Sequence, residues 1–178
     1  MNKTRTAIII MLVAILGSST ISAVSAMNNM VTKLENHFFM GDTQYANQSI
    51  YADVLDKADI ASNLAKLAKE YLGDKESHIK DIIDIAKDIQ LTKSISKLYD
   101  DMHALDTDVD WLIAELSNKN LTDIHKNLLT KYQSEYRSES RTIESDNYNT
   151  LVRQYYDETG GFPGIIFRGF AKKAEYFK

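Results

Sequence analysis

The sequence predicts an all-α protein, an elongated antiparallel helical bundle preceded by an N-terminal membrane or signal helix. From Met27 onward, apolar residues recur at spacings of three and four, which is the signature of amphipathic helices. The chain contains one Pro and seven Gly, and the Pro and the Gly-Gly pair both lie in its last twenty residues. Long uninterrupted helices require that scarcity, because Pro and Gly weaken helix interiors.

Residues 1–26 have the features of a segment that directs a chain to a membrane. Lys3 and Arg5 precede an uncharged, largely apolar stretch over residues 7–26, which ends in the small-residue pattern Val-Ser-Ala. Two interpretations follow: a signal peptide cleaved after Ala26, or a retained transmembrane helix, because about 20 apolar residues span a bilayer. In both, the two basic residues keep the N-terminus cytoplasmic and the remainder is exported.

The bundle is predicted over residues 27–157, and its first part contains two apolar stripes with helical spacing. The first stripe is interrupted at Gly41, and the second stops at Gly73, where glycine suits the end of a helix. The stripes are Val31, Leu34 and Phe38, followed by Ile60, Leu64, Leu67 and Tyr71.

The clearest pattern is a stripe of eight apolar residues that alternates steps of four and three. It resembles a coiled-coil seam and predicts one continuous helix over residues 75–117, about 65 Å long at about 1.5 Å per residue. Such a stripe needs partner helices to cover it, and the same chain provides them. The eight residues are Leu91, Ile95, Leu98, Met102, Leu105, Val109, Leu112 and Leu116.

A last helix is predicted from Asn120 to about Tyr156. Asn120 and Asp123 resemble a capping box at its start. Its middle, residues 137–142, is almost wholly polar, so we expect a less tightly packed waist there. The residues predicted to face inward are Leu121, Ile124, Leu128, Tyr132, Tyr136, Ile143, Tyr148, Leu151 and Tyr155.

Residues 158–178 form an aromatic and basic tail, to which Arg168, Lys172 and Lys173 add positive charge. The favoured interpretation is that this tail packs on the bundle and completes its core. The alternative is a docking segment for a membrane interface or a partner. The large apolar residues of the tail are Phe162, Ile165, Ile166, Phe167, Phe170 and Phe177.

The charge balance argues against nucleic-acid binding. The formal net charge is −4, and because residues 1–26 contribute two positive charges, the rest of the chain carries −6. A chain with that balance lacks the basic footprint that binding to phosphate backbones needs. The absence of Cys excludes disulfides, thiolate nucleophiles and Cys-ligated zinc.

The histidines do not form a recognisable metal motif. A site on one helix needs ligands three or four residues apart, and His78 with Asp81 and Asp100 with His103 meet that spacing. A single His-carboxylate pair is common on solvated helix faces. The four histidines are His37, His78, His103 and His125.

The run Asp106-Thr-Asp-Val-Asp110 resembles the start of a calcium loop. The Gly and the Glu that such a loop requires are replaced by Trp111 and Ser117, so a helical face is favoured. Phosphate-binding loops and hydrolase motifs are also absent from the sequence. We therefore predict a non-enzymatic protein with no catalytic residue, no cofactor and no metal ion.

Four short motifs stand in a characteristic order along the chain: Asp59-Ile-Ala-Ser-Asn-Leu64, Tyr148-Asn-Thr-Leu-Val-Arg153, Phe162-Pro-Gly164 and Tyr176-Phe177. Together they resemble the LemA family of bacterial membrane proteins, which carries an Asn-Leu pair before a helix and a Tyr-Asn-x-x-Val-Arg signature. Tyr155 also precedes the Phe-Pro-Gly motif by the seven residues typical of that family. Three features depart from the family pattern: Ala61-Ser62 replace a usual Pro, a Trp is missing from the first helix, and Tyr156 replaces an Asn.

The resemblance implies a membrane-anchored four-helix bundle without an assigned biochemical activity, and it favours retention of the anchor. It carries over no catalytic residue. We therefore expect a single-pass protein of the cell envelope whose extracytoplasmic bundle acts as an interaction scaffold for another envelope protein. Secretion after cleavage is the alternative location. The alternative function is a sensory or small-ligand-binding module, because tilted helices can enclose a pocket and the polar waist leaves room for one.

Overall fold

The computed structural model describes residues 3–41, 49–73 and 76–178, with the side chains of residues 3–10 and 12–16 excepted. Within these ranges the regular secondary structure consists of α-helices and no strand occurs, which confirms the all-α prediction. The helices are α1 (Lys3–Met40), α2 (Ile50–Leu72), α3 (Ser77–Leu91), α4 (Ile95–Ser117), α5 (Asp123–Ser145), α6 (Tyr148–Glu158) and the short α7 (Gly164–Arg168).

The chain divides into two compact units. Unit 1 comprises Met1–Asn36 and Asn149–Ala174, and unit 2 comprises His37–Tyr148 and Glu175–Lys178. The division follows contacts between distant segments of the chain. The boundaries predicted from the sequence are of another kind: the one after residue 26 ends the targeting segment, and the one after residue 157 begins the aromatic and basic tail. Both stay predictions.

Unit 2 is built on α2, α3, α4 and α5, which pack on one another as a helical bundle, as predicted. Helix α2 begins where the Ser49 hydroxyl accepts the N–H of Ala52 at 3.1 Å. It ends where Gly73, at φ +86°, donates its N–H to the carbonyl of Lys69 at 3.1 Å. The prediction that this helix stops at Gly73 is confirmed.

The prediction of one continuous helix over residues 75–117 is wrong. Residue 75, at its start, lies outside the described residues. Helix α3 ends at Leu91 and α4 begins at Ile95. The Ser94 hydroxyl accepts the N–H of Lys97 at 3.4 Å, so a helix N-cap interrupts the apolar stripe. Leu91, predicted in the seam, is 69% exposed. The buried face of α3 is formed instead by Ile79, Ile82, Ala86 and Ile89.

The last predicted helix is also divided, into α5 and α6. The Asp146 carboxylate accepts the N–H of Tyr148 at 2.7 Å and so starts a new helix, with two residues between the end of α5 and the start of α6. At the start of α5 the N-cap is Thr122, whose hydroxyl accepts the N–H of His125, and not the predicted Asn120. Ile124, predicted to face inward, is 71% exposed, whereas Leu129 is buried.

An aromatic cluster closes unit 2 where its sequence-distant segments meet. The Phe38 ring is fully buried, with its centroid 5.2 Å from those of Tyr148 and Phe177. The Tyr148 hydroxyl donates to the carbonyl of Glu175 at 2.8 Å. The Glu175 carboxylate accepts from the N–H of Ser96 at 3.1 Å, in the first turn of α4. The last four residues are therefore integral to unit 2.

Unit 1 combines α1 with α6, α7 and the tail that follows them. Met27, Val31, Val152 and Tyr155 are buried. The side-chain amide oxygen of Asn28 accepts the N–H of Lys172 at 2.7 Å, which ties the tail to α1. The tail is also tied to α6, through a 2.7 Å bond from the Tyr156 hydroxyl to the carbonyl of Ala174.

Within the apolar N-terminal stretch over residues 7–26, the side chains of residues 7–10 and 12–16 lie outside the described set. Over the part of the chain that the structure describes, no helix is both long enough and apolar enough to cross a membrane.

We predict that replacing Phe177 with Ala lowers the free energy of unfolding by about 2–4 kcal/mol, because the substitution leaves a cavity beside Phe38. The matched control is Phe170→Ala, at a side chain that is 73% exposed, which should change stability by less than about 0.5 kcal/mol. Urea unfolding of the full chain in detergent, followed by circular dichroism, measures both changes. Equal effects of the two substitutions would contradict the buried position of Phe177.

Candidate functional site

The interior of unit 2 contains a charged network that connects α2, α4 and α5. The Lys57 ammonium lies 2.6 Å from the Asp106 carboxylate, and the Tyr136 hydroxyl donates to the same oxygen at 2.8 Å. The ammonium also lies 4.7 Å from the centroid of the Tyr136 ring, a cation–π contact. The Lys57 side chain is 1% exposed and that of Asp106 is 34% exposed. The carboxylate therefore connects a buried cation to the surface.

The sequence brings these side chains together through helical spacing. Lys57 lies on the buried face of α2, between Asp53 and Ala61 at four-residue steps. Asp106 follows the fully buried Leu105 and so lies at the edge of the apolar face of α4. Lysine is almost never fully buried unless it is paired, so the apolar face of α2 forces the pairing with α4.

Burial determines the protonation state of Tyr136. The pKa of this hydroxyl is raised far above its usual range, and burial is the largest cause. The charge of Asp106, the hydrogen bond to Asp106 and the charge of Asp110 follow in that order. The hydroxyl therefore remains a hydrogen-bond donor at every physiological pH. It serves to fix the carboxylate and is not available as a base.

Two carboxyls lie one helical turn from this network. Asp53 is one turn before Lys57 on α2, and Glu139 is one turn after Tyr136 on α5. Burial raises the pKa of Asp53 to about 6, helped by the charges of Glu139, Asp56 and Asp146. Burial also raises the pKa of Glu139, followed by the charges of Asp56 and Glu135. Glu139 belongs to the polar waist predicted on α5. Asp53, whose pKa the charge of Glu139 helps to raise, therefore changes its protonation at about pH 6.

Sequence reasoning missed this network. The available signal was a lysine inside an apolar stripe, since Val54, Ala58, Ala61 and Leu64 surround Lys57 on the same face of α2. A cation in that position predicts a buried partner. The identity of the partner depends on the packing of α4 and could not be read from local spacing.

Two histidines lie near carboxylates other than those paired with them in the sequence analysis: His78 contacts Asp108 between α3 and α4, and His103 lies near Asp106, three residues further along α4. The Nδ1 atom of His78 lies 2.7 Å from the Asp108 carboxylate, and its ring stacks on Trp111 with centroids 4.1 Å apart. The Nδ1 atom of His103 lies 3.9 Å from the carboxylate of Asp106. Neither contact is one of the three-residue pairs noted in the sequence.

The other two histidines take part in different contacts. The Nδ1 atom of His125 lies 2.5 Å from the Tyr71 hydroxyl, and the Nε2 atom of His37 lies 3.6 Å from the Asp146 carboxylate. Among the residues that the structure describes, no three or more His, Asp or Glu side chains are arranged to hold a metal ion.

Unit 1 exposes an apolar surface, which we call the C-terminal apolar surface and define as Phe162, Ile165, Ile166 and Phe170. Their exposed fractions are 86%, 53%, 51% and 73%, respectively. Phe170 also lines a groove of about 400 Å³ in unit 1. The other groove residues are Thr20, Ile21, Val24, Ser25 and Asn28.

Charge is distributed unequally between the two units. Unit 1 contains seven Lys or Arg and three Asp or Glu, a net charge of +4, whereas unit 2 contains fourteen and twenty-two, a net charge of −8. The exposed C-terminal apolar surface therefore belongs to a basic unit within an acidic protein.

No family model matches the chain, and no curated protein or solved structure matches it either.

We predict an asymmetry between the two partners of the buried ion pair. Asp106→Ala leaves the ammonium of Lys57 buried and unpaired, and should cost roughly 3–5 kcal/mol of unfolding free energy. Lys57→Met should cost less than about 2 kcal/mol, because the carboxylate of Asp106, which is 34% exposed, stays hydrated when its partner is removed. Urea unfolding of both variants measures the difference. Equal losses would show that the ammonium is not buried as described.

We predict that Asp53 makes stability depend on pH. Because its pKa rises from 3.8 to about 6 on folding, the folded state holds a proton that the unfolded chain releases first. The stabilisation by that proton is complete below about pH 4 and is lost as the pH rises through about 6. Asp53→Asn removes this loss, so it should stabilise the protein by roughly 1–2 kcal/mol at pH 7 and little at pH 4.

Urea unfolding at both pH values tests this dependence. Asp59→Asn, at an exposed carboxyl on the same helix, serves as the matched control and should change stability little at either pH. An effect of Asp53→Asn that is the same at pH 4 and pH 7 would contradict the raised pKa.

Proposed function

We propose that the protein is a non-enzymatic, LemA-like envelope protein, held in the cell membrane by residues 1–26 and presenting its bundle on the extracytoplasmic side. There it binds another envelope protein as an interaction scaffold. The observation that carries this proposal is the continuity of α1, which runs without a break from Lys3 to Met40. The apolar stretch and the first residues of the folded part belong to one helix.

The composition of unit 1 supports retention of the N-terminal segment. Val24 and Ser25, just before the candidate cleavage position, line the groove that Phe170 also lines, and Asn28 just after it binds the tail. Cleavage after Ala26 would remove one wall of that groove. A secreted protein that begins at Met27 is the alternative location.

The charges support the proposed orientation. Lys3 and Arg5 precede the apolar stretch, which favours a cytoplasmic N-terminus and an exported remainder. The net charge of −8 on unit 2 also disfavours direct contact with anionic lipid. Unit 2 is therefore available to a protein partner in the aqueous part of the envelope.

The interior chemistry of unit 2 supports a non-enzymatic role. The ammonium of Lys57 is enclosed and paired with Asp106, and the hydroxyl of Tyr136 is committed to the same carboxylate. These groups satisfy one another within the bundle. Their arrangement fits the fixing of helix register better than the binding of a substrate.

A second candidate function is an extracytoplasmic sensory module. The observation that favours it is the carboxyl group between α2 and α5, where the pKa of Asp53 is about 6. A change of pH between 5 and 7 would alter the charge of Asp53, so proton concentration is the stimulus that this site could register.

The scaffold proposal is tested by photo-crosslinking in cells. Benzoylphenylalanine is introduced at position 91 or 124, since Leu91 and Ile124 are large apolar side chains that unit 2 exposes to 69% and 71%. We expect one recurrent protein adduct in the membrane fraction. The buried position of Leu98 serves as the control and should give none. The absence of an adduct at both exposed positions under several growth conditions would contradict the scaffold role.

A further inference from the structure

We propose that the C-terminal apolar surface of unit 1 docks on anionic lipid headgroups, beside the point where α1 leaves the bilayer. This inference rests on the proposed membrane anchor and adds a second contact with the same membrane. The occupant is the lipid surface, and not a protein partner or a second copy of the chain.

Unit 1 concentrates exposed apolar side chains in one short segment of the chain. Phe162, Ile165, Ile166 and Phe170 fall within nine consecutive residues, and each is more than half exposed. The large apolar residues exposed in the described part of unit 2 are, by contrast, spread over three helices: Met40 on α1, Ile83 and Leu91 on α3, and Ile124 on α5. Single exposed apolar residues are ordinary on proteins, whereas a concentrated set marks a surface that binds something apolar.

The charge of the same segment is complementary to that of an anionic membrane. Arg168, Lys172 and Lys173 lie in or directly after the same segment, within a unit of net charge +4. The Arg168 guanidinium packs over the Tyr156 ring at 5.2 Å and donates to the carbonyl of the same residue at 3.2 Å, so its position is fixed. Basic residues near an anionic membrane surface are attracted to its headgroups. Aromatic and basic side chains together suit the headgroup region.

The position of Phe170 beside α1 sets its depth relative to the proposed membrane span. If residues 7–26 cross the bilayer at about 1.5 Å per residue, Thr20, Ile21 and Val24 lie in the last third of that span. Phe170 lines a groove with these three residues. The Phe170 ring is therefore placed at the boundary between acyl chains and headgroups, a depth at which lipid and not an aqueous protein is the neighbour.

Tryptophan fluorescence tests the contact. The full chain is reconstituted in vesicles of phosphatidylcholine with phosphatidylglycerol, in a Trp111→Phe background that removes the native tryptophan. Phe170→Trp then provides the reporter, and Ile166→Trp provides a second one on the same surface. Ile124→Trp, at an equally exposed side chain of unit 2, is the matched control. We expect brominated phosphatidylcholine to reduce the fluorescence of both reporters about twofold and to leave the control unchanged.

Charge variants test the headgroup preference. Lys172→Gln with Lys173→Gln should weaken the quenching of the tryptophan at position 170 in the anionic vesicles, and Lys119→Gln with Lys126→Gln in unit 2 should not. In vesicles of pure phosphatidylcholine, the tryptophan at position 170 should be quenched less than in the anionic vesicles even when both lysines are unchanged. Equal quenching in the two vesicle types would overturn the preference for anionic headgroups.

Flotation separates this inference from the anchor on which it rests. A chain that floats with the vesicles while both reporters are quenched no more than the control would contradict the docking surface and leave the anchor intact. A chain that does not float would contradict both. An adduct between position 170 and a protein in cells, without lipid quenching, would show that a protein covers the surface and would overturn the inference.

Discussion

The removal of apolar side chains from water is the constraint on which this structure depends, and the two units satisfy it differently. In unit 2, the helices cover one another, and the fully buried ring of Phe38 draws Tyr148 and Phe177 against it. In unit 1, the helices bury Val31 and Val152 but leave a set of large apolar side chains in water. We propose that lipid covers these exposed side chains of unit 1.

The buried charges of unit 2 act within this apolar frame. An ammonium inside a bundle is tolerated only with a partner in good geometry, and Lys57 has one in Asp106, which Tyr136 holds in place. Because the three residues come from three helices, the network favours one register of α2, α4 and α5. The carboxyl of Asp53, with its raised pKa, lies one helical turn from this network and makes the same region sensitive to pH.

The sequence predicted the helices better than their ends. Periodicity indicated the all-α fold, and Gly73 marked a true helix end, because both signals are local. The interruption at Ser94 was missed because the alternation of steps happens to continue across it, and because part of the capping comes from Glu175, far along the chain. Lys57 carried a readable signal as a cation in an apolar stripe, but its partner depends on tertiary packing.

We propose that residues 1–26 stay attached to the protein, in which α1 continues without a break from Lys3 to Met40. The intact mass and N-terminal residue of the protein purified from the membrane fraction test this claim most directly. We predict a chain that begins at Met1 and has the mass of all 178 residues. A mature protein that begins at Met27 would contradict the anchor and, with it, the lipid contact proposed for unit 1.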